Sequence, residues 1–261
     1  MTEYAAAANL TEDKRTSRAE RAAYLGSLLI AGVSVIYILS VVVTGNSWLP
    51  ISAIKSGGSS STLSLIQCVL AVAALHVPRI LKAATRIRLP DSLCVFYYAF
   101  VLCGTVLGEM FSLYYALPFW DDLLHLASGM MESMLGAILA VTFLRRRKCS
   151  GLISPMLIAV VAVFFAVTIG VCWEVYEFAG DTLLGLNMQK SMLEDGTGLI
   201  GRAALADTMK DLIIDTAGAL AAAVFAHRSL KSKKGWLHSY TEAPQEAGEQ
   251  QFEEETFPKT A

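Results

Sequence analysis

Ionisable side chains interrupt an apolar stretch of this chain, FWDDLLHLASGMMESML at positions 119–135. Asp121 and Asp122 lie four and three residues before His125, so a helix would place both carboxylates beside the imidazole. Glu132 follows His125 by two helical turns. An ionisable group is costly in hydrocarbon and indicates a functional site, and a histidine oriented by a carboxylate is suited to proton transfer or metal binding.

Two later segments carry acids at the same helical spacing. The segments are VCWEVYEFAGD (171–181) and LADTMKDLIIDTAGAL (205–220). In each, the acids recur three or four residues apart and therefore share one helix face, and Asp215 would lie about 12 Å further along its helix than Asp207. Exposing such a column of acids to lipid would cost a large free energy, so we expect the column to face a protein interior. The acids concerned are Glu174, Glu177, Asp181, Asp207, Asp211 and Asp215.

The charge balance around these acids favours a bound cation. Few basic residues are available on the same side of the predicted bundle, namely Lys55, Lys190, Arg202 and Lys210. Converging carboxylates must therefore be protonated, hydrated or bound to a metal. Oxygen ligands with one imidazole suit Mg²⁺, Mn²⁺, Ca²⁺ or Zn²⁺, and the residues do not choose among these divalent ions. The predicted metal ligands are His125, Glu174, Glu177, Asp181, Asp207, Asp211 and Asp215, and the predicted catalytic residues are His125, Asp122 and Glu177.

Simpler roles compete for some of these residues. Asp121 and Asp207 are suited to capping helix N-termini. Glu177 and Asp181 are suited to the headgroup region, and a lone histidine often only packs. Glu174, Asp211 and Asp215 resist such explanations, because they lie within or beside the apolar segments.

The composition places these residues in a membrane protein. Of 261 residues, 54% are hydrophobic and 17% are charged, against about 25% charged in soluble proteins. The run 24–44 carries no charge and is long enough to cross a bilayer. We predict an all-α polytopic bundle of about six spanning helices, in which the second ends at Pro78 or continues through LKAATRIR. The predicted spans are 24–44, 62–78, 93–115, 122–144, 153–175 and 211–227.

Basic residues cluster before span one and after spans two, four and six, which predicts cytoplasmic N- and C-termini. The acidic helix ends then lie on the extracytoplasmic side of the membrane. We divide the chain into an N-terminal tail (1–22), a transmembrane domain (23–228), and a basic, then acidic tail (229–261) that we expect to be disordered. The loop 56–62 is expected to be a flexible connection. No cleavable signal peptide is indicated.

The same motifs resemble a known family. WDDLLHLASG, WEVYEFAGDTLLGLNMQ and ADTMKDLIIDTAGAL, preceded by GEMFSLYYALPFW, are similar to the YjdF-like bacterial inner-membrane proteins of unknown function. A more distant similarity is to VanZ-like membrane proteins, whose link to glycopeptide resistance suggests cell-envelope or lipid chemistry. The resemblance implies the motif positions Asp122, His125, Gly129, Glu174, Glu177, Asp181, Asn187, Gln189, Asp207, Asp211, Asp215 and Gly218.

Three functions remain open at this point. The first is a metal-dependent enzyme acting on a membrane lipid or lipid-linked substrate. The second is a cation- or proton-coupled transporter, although no internal repeat is visible and the acids cluster towards one side. The third is a non-catalytic accessory protein whose polar groups only join helices. No motif for an organic cofactor or a nucleic acid partner is present, and the oligomeric state is left open.

Overall fold

A computed structural model describes residues 2–45, 61–85, 87, 89–149, 153–193, 196–232 and 236–237. These residues form an α-helical bundle, as predicted, and within them the only bridge between extended segments joins Met192 to Gly198. The predicted loop 56–62, apart from its last two residues, and most of the predicted disordered tail lie outside the described residues. The helices are α1 Thr2–Thr44, α2 Ser61–Ala74, α3 Val77–Thr85, α4 Asp91–Leu102, α5 Leu113–Ala116, α6 Trp120–Arg146, α7 Pro155–Leu184 and α8 Arg202–Lys231, with a π-helix, Cys103–Met110, continuing α4.

Five helical segments in the described part of the chain are long and apolar enough to cross a membrane. The predicted sixth span corresponds to α8. This helix has 30 residues, which corresponds to about 45 Å, but it is not among the five, and its first half carries five charged residues. The five segments are Arg18–Thr44, Ser64–Thr85, Asp91–Met110, Trp120–Arg146 and Pro155–Leu184.

Two predicted boundaries differ from the structure. The second span does not stop at Pro78, because Pro78 occupies the first turn of α3, where a missing N–H is tolerated. The fifth span does not end at residue 175 but continues to Leu184. Glu177 and Asp181 are therefore part of the same helix as Glu174.

The last three long helices pack most closely against one another. At Gly129 of α6, an added Cβ would lie 2.1 Å from the carbonyl oxygen of Asp215 in α8. At Gly218 of α8, it would lie 2.4 Å from the carbonyl oxygen of Leu126 in α6. The absence of a side chain at both positions lets the two backbones touch, which is how small residues act in membrane helix packing.

Further contacts fix the alignment of these helices. The Ser133 hydroxyl donates a hydrogen bond of 3.0 Å to the carbonyl oxygen of Ala219. Asp122 near the start of α6 pairs with Lys210 of α8, and Ser133 further along α6 pairs with Ala219 further along α8, so these two helices run parallel. On α7, a Cβ at Gly170 would lie 2.9 Å from a carboxylate oxygen of Asp215. Lys190, in the connection between α7 and α8, contacts Asp121 of α6 and Asp207 of α8, so the start of α6, the end of α7 and the start of α8 meet at one end of the bundle.

The opposite end of the bundle carries basic residues. The guanidinium of Arg146, at the end of α6, donates a hydrogen bond of 2.6 Å to the carbonyl oxygen of Thr85, at the end of α3. Two connections that the sequence predicts to be cytoplasmic therefore lie side by side.

Replacing Gly129 by alanine should destabilise the protein. The new methyl group would overlap a backbone carbonyl that cannot rotate away, so α6 and α8 must separate, at a cost of about 1–3 kcal/mol. Thermal unfolding in detergent should show a lower midpoint. Gly26→Ala in α1 is the control, because an added Cβ meets no atom within 4 Å there. An unchanged midpoint for Gly129→Ala would contradict the close packing.

Candidate functional site

His125 lies at the centre of a buried polar cluster between α6 and α8. Its Nδ1 is 3.2 Å from Asp215 Oδ2. Its Nε2 is 3.7 Å from Asp121 Oδ1 and 3.8 Å from Asp211 Oδ2. The imidazole and the carboxylates of Asp211 and Asp215 are all buried, so the bundle interior holds one histidine among three acids.

Asp215 is held in a defined orientation. The Ser128 hydroxyl lies 2.7 Å from Asp215 Oδ1, and the other carboxylate oxygen faces His125. Gly170 of α7 leaves the space that this second oxygen occupies. A carboxylate at Nδ1 favours the tautomer in which Nδ1 carries the proton and Nε2 offers a lone pair. This is the arrangement in which a carboxylate orients a metal-binding histidine.

Three ligand atoms lie on the Nε2 side of the ring. Asp121, His125 and Asp211 each present one such atom, and these atoms lie within 4.8 Å of one another. Asp211 is only 1% exposed, and its Oδ1 has no hydrogen-bond partner in the described part of the structure. A buried carboxylate oxygen without a partner is unfavourable. A cation or a hydrogen-bond donor next to Asp211 Oδ1 would therefore stabilise this carboxylate.

The loop between α7 and α8 brings a lysine to this cluster. The Lys190 ammonium contacts Asp121 Oδ2 and lies 3.4 Å from Asp207 Oδ1. Burial alone would lower the pKa of Lys190, but the carboxylates of Asp121 and Asp207 outweigh it and raise the pKa above its ordinary value. The ammonium therefore stays charged and balances part of the acidic charge.

Asp181 holds this loop in place. Its two carboxylate oxygens accept hydrogen bonds from the backbone N–H groups of Met188, at 2.7 Å, and Gln189, at 3.1 Å. The Gln189 side chain then donates to Thr208 Oγ1, at 2.8 Å, and lies 3.4 Å from Glu174 Oε2. Asp181 thus acts on the site through the loop that carries Gln189 and Lys190.

Some of the predicted site residues contact one another directly, and others are joined to them only through the loop between α7 and α8. His125, Asp211 and Asp215 meet directly, and Asp207 joins them through Lys190. Glu174 is buried and faces α8 through Gln189, and its Oε1 has no partner among the described residues. Its role as a metal ligand stays a prediction, as do the ligand roles of the other residues named from the sequence.

Two predicted catalytic residues have other partners in the structure. Glu177 Oε1 accepts a hydrogen bond of 2.8 Å from the Trp173 indole. Asp122 forms an ion pair with Lys210 at 2.6 Å rather than facing His125. Their catalytic roles also stay predictions.

Asp121 is one of the three residues with a potential ligand atom on the Nε2 side of His125, although it was not among the metal ligands predicted from the sequence. The N-cap residues of α6 and α8 are Phe119 and Gly201, so neither Asp121 nor Asp207 caps its helix. Ser128 and Thr208 were not identified from the sequence. The available signal for Ser128 was its position three residues after His125, on the same helix face.

Comparison with known proteins identifies the family. The family described as predicted membrane protein (DUF2238) matches residues 27–232. The chain belongs to this family. No curated protein and no solved structure matches the chain. The matched range contains all the polar groups described above, so the candidate site lies within the family domain.

Replacing Asp181 by alanine should loosen the loop that carries Lys190. Both backbone N–H groups at 188 and 189 would lose their acceptor, so their hydrogen exchange should accelerate, by about tenfold for each 1.4 kcal/mol lost. Asp122→Asn is the control, because it removes a carboxylate from the same end of the bundle without touching the loop. Equal exchange in wild type and Asp181→Ala would show that Asp181 does not hold the loop.

Proposed function

We propose that Asp121, His125 and Asp211 bind a divalent cation near the extracytoplasmic face of a bacterial inner membrane. The observation that carries this proposal is the orientation of His125. Asp215 and Ser128 fix one side of the imidazole, and the other side presents Nε2 to two carboxylates. The unpartnered oxygen of the buried Asp211 supports a cation at this position.

The number of ligands favours a catalytic metal over a structural one. Three protein ligands leave a coordination position for water or substrate, as in catalytic zinc sites. A metal in this position would lower the pKa of bound water or polarise a carbonyl or phosphoryl oxygen. Glu174 lies beside the cluster with a free carboxylate oxygen, which is suited to accept a proton.

The position of the cluster favours a lipid or lipid-linked substrate. It lies at one end of the bundle, where the Lys190 and Lys210 side chains are 41% and 45% exposed. Partly exposed lysine side chains beside a metal are suited to an anionic headgroup. The resemblance to YjdF-like and, more distantly, VanZ-like proteins supports a role in the cell envelope by analogy. We therefore propose a metal-dependent enzyme of the envelope.

A cation- or proton-coupled transporter is the second candidate. One observation favours it: Asp207, Asp211 and Asp215 occupy one face of α8, and Glu132 continues the row of ionisable groups deeper into α6. Chains of acids and histidines of this kind carry protons in transport proteins. Purified protein in liposomes with an imposed ion or pH gradient tests it, and flux no greater than that of empty vesicles would count against transport.

Purified protein should hold about one divalent ion per chain. Dialysis against Mg²⁺, Mn²⁺, Ca²⁺ or Zn²⁺, followed by elemental analysis, measures the occupancy. Asp211→Asn should remove a ligand and abolish stoichiometric binding. Asp215→Asn should weaken binding by about 10–100-fold, because it disturbs the orientation of His125 without removing a ligand. Asp122→Asn should bind like wild type. Wild-type protein without stoichiometric metal would refute the site.

Lipid chemistry should depend on the same residues. Wild-type protein incubated with a bacterial lipid extract and the bound metal should generate a product detectable by mass spectrometry. Asp211→Asn, Glu174→Gln and metal removal with a chelator should each abolish the product, whereas Gly26→Ala, which lies outside the site, should keep it. If the protein binds the metal but changes no lipid, the proposed metal site would be supported and the proposed enzymatic activity on lipids would be contradicted.

A further inference from the structure

A second feature of the bundle lies away from the metal-binding group. A groove of about 190 Å³ is lined by residues of α3, α4, α6 and α7 and of the connection between α3 and α4. Its walls are almost wholly apolar and include Met131 and Leu135 of α6 and Phe165 and Ile169 of α7. An engineered cavity of about 150 Å³ holds benzene, so this groove is large enough for one ring or a short branched chain.

One carboxylic acid side chain, that of Glu132, lines this groove. Glu132 presents a carboxylate whose Oε2 is buried and has no hydrogen-bond partner among the described residues. None of the described residues that line the groove is basic. The nearby Asp215 and His125 are hydrogen-bonded to each other.

The surroundings also exclude the neighbouring arginine as a partner. Arg79 follows the groove residue Pro78, but its guanidinium lies 3.4 Å from the centroid of the Tyr24 ring. The hydroxyl of Tyr97 donates to the carbonyl oxygen of Ala74 at 2.9 Å. The Tyr97 hydroxyl is therefore occupied, whereas its ring and that of Phe165 line the groove.

These contacts define the chemistry of a complementary ligand. Aromatic rings attract cations through their faces, and a carboxylate surrounded by hydrocarbon requires a cation or a hydrogen-bond donor. The apolar walls require a hydrophobic body, and the volume limits its size. We propose that the groove binds a small hydrophobic cation, a quaternary or protonated amine carrying one ring or short chain, with its charge against Glu132.

Three probes of the same shape test this proposal in nanodiscs by titration calorimetry. Benzyltrimethylammonium carries the positive charge, neopentylbenzene is its uncharged isostere, and benzylsulfonate is an anion. Only benzyltrimethylammonium should bind at one site per chain, with empty nanodiscs as the blank. Equal binding of the uncharged isostere, or no binding of the cation, would overturn the proposal.

Variants locate the binding. Glu132→Gln should weaken binding of benzyltrimethylammonium by at least about tenfold, because the buried charge partner is lost. Leu135→Trp should fill the groove and abolish binding. Asp211→Asn is the matched control, since it removes a carboxylate from the same bundle outside the groove, and it should bind like wild type. Unchanged binding by Glu132→Gln and Leu135→Trp would place the cation elsewhere and reject the proposal, and a thermal unfolding scan confirms that each variant is folded.

Binding of benzyltrimethylammonium in the groove is expected to be independent of the proposed metal site. The groove and the Asp121–His125–Asp211 group share no ligand atom, so loss of metal binding in Asp211→Asn with retained cation binding would separate the two. Loss of cation binding in Asp211→Asn would show that the two sites are one, and would overturn the groove as a separate site.

Discussion

The hydrogen bond between His125 and Asp215 is the interaction on which the candidate site depends. It joins residues 90 positions apart, and it forms only because α6 and α8 touch at Gly129 and Gly218. A side chain at either glycine would push the helices apart and lengthen the distance between imidazole and carboxylate. The packing of small residues therefore sets the geometry of the polar groups.

The loop after α7 explains how the bundle tolerates some of its acids. An ionised carboxylate within the membrane requires a partner, and the loop after α7 supplies Lys190 to Asp121 and Asp207. Asp181 fixes that loop through backbone N–H groups. Acids that the sequence presents as equivalent consequently have different tasks: Asp181 positions a loop, Asp215 orients an imidazole, and Asp211 keeps an oxygen without a partner.

Helical periodicity made it possible to predict from the sequence which acids share a buried helix face. Spacing of three or four residues places Asp207, Asp211 and Asp215 on one face, and the apolar surroundings imply that the face is buried. Periodicity does not report which residue on another helix lies at the same depth. The sequence therefore predicted Asp121 or Asp122 as the partner that orients His125, whereas the structure places Asp215 at Nδ1 and pairs Asp122 with Lys210.

The pattern of satisfied and unsatisfied atoms also bears on the three candidate functions. Acids that only join helices should end in interhelical hydrogen bonds, as Ser133 does with Ala219. Such bonds contribute on average well under 1 kcal/mol, whereas a buried polar atom without a partner costs about 1–3 kcal/mol. Asp207, Asp211, Glu174 and Glu132 each keep one buried oxygen without a hydrogen-bond partner in the described structure. A purely structural role gives no reason to retain these four oxygens, and a bound cation or a transferred proton gives one.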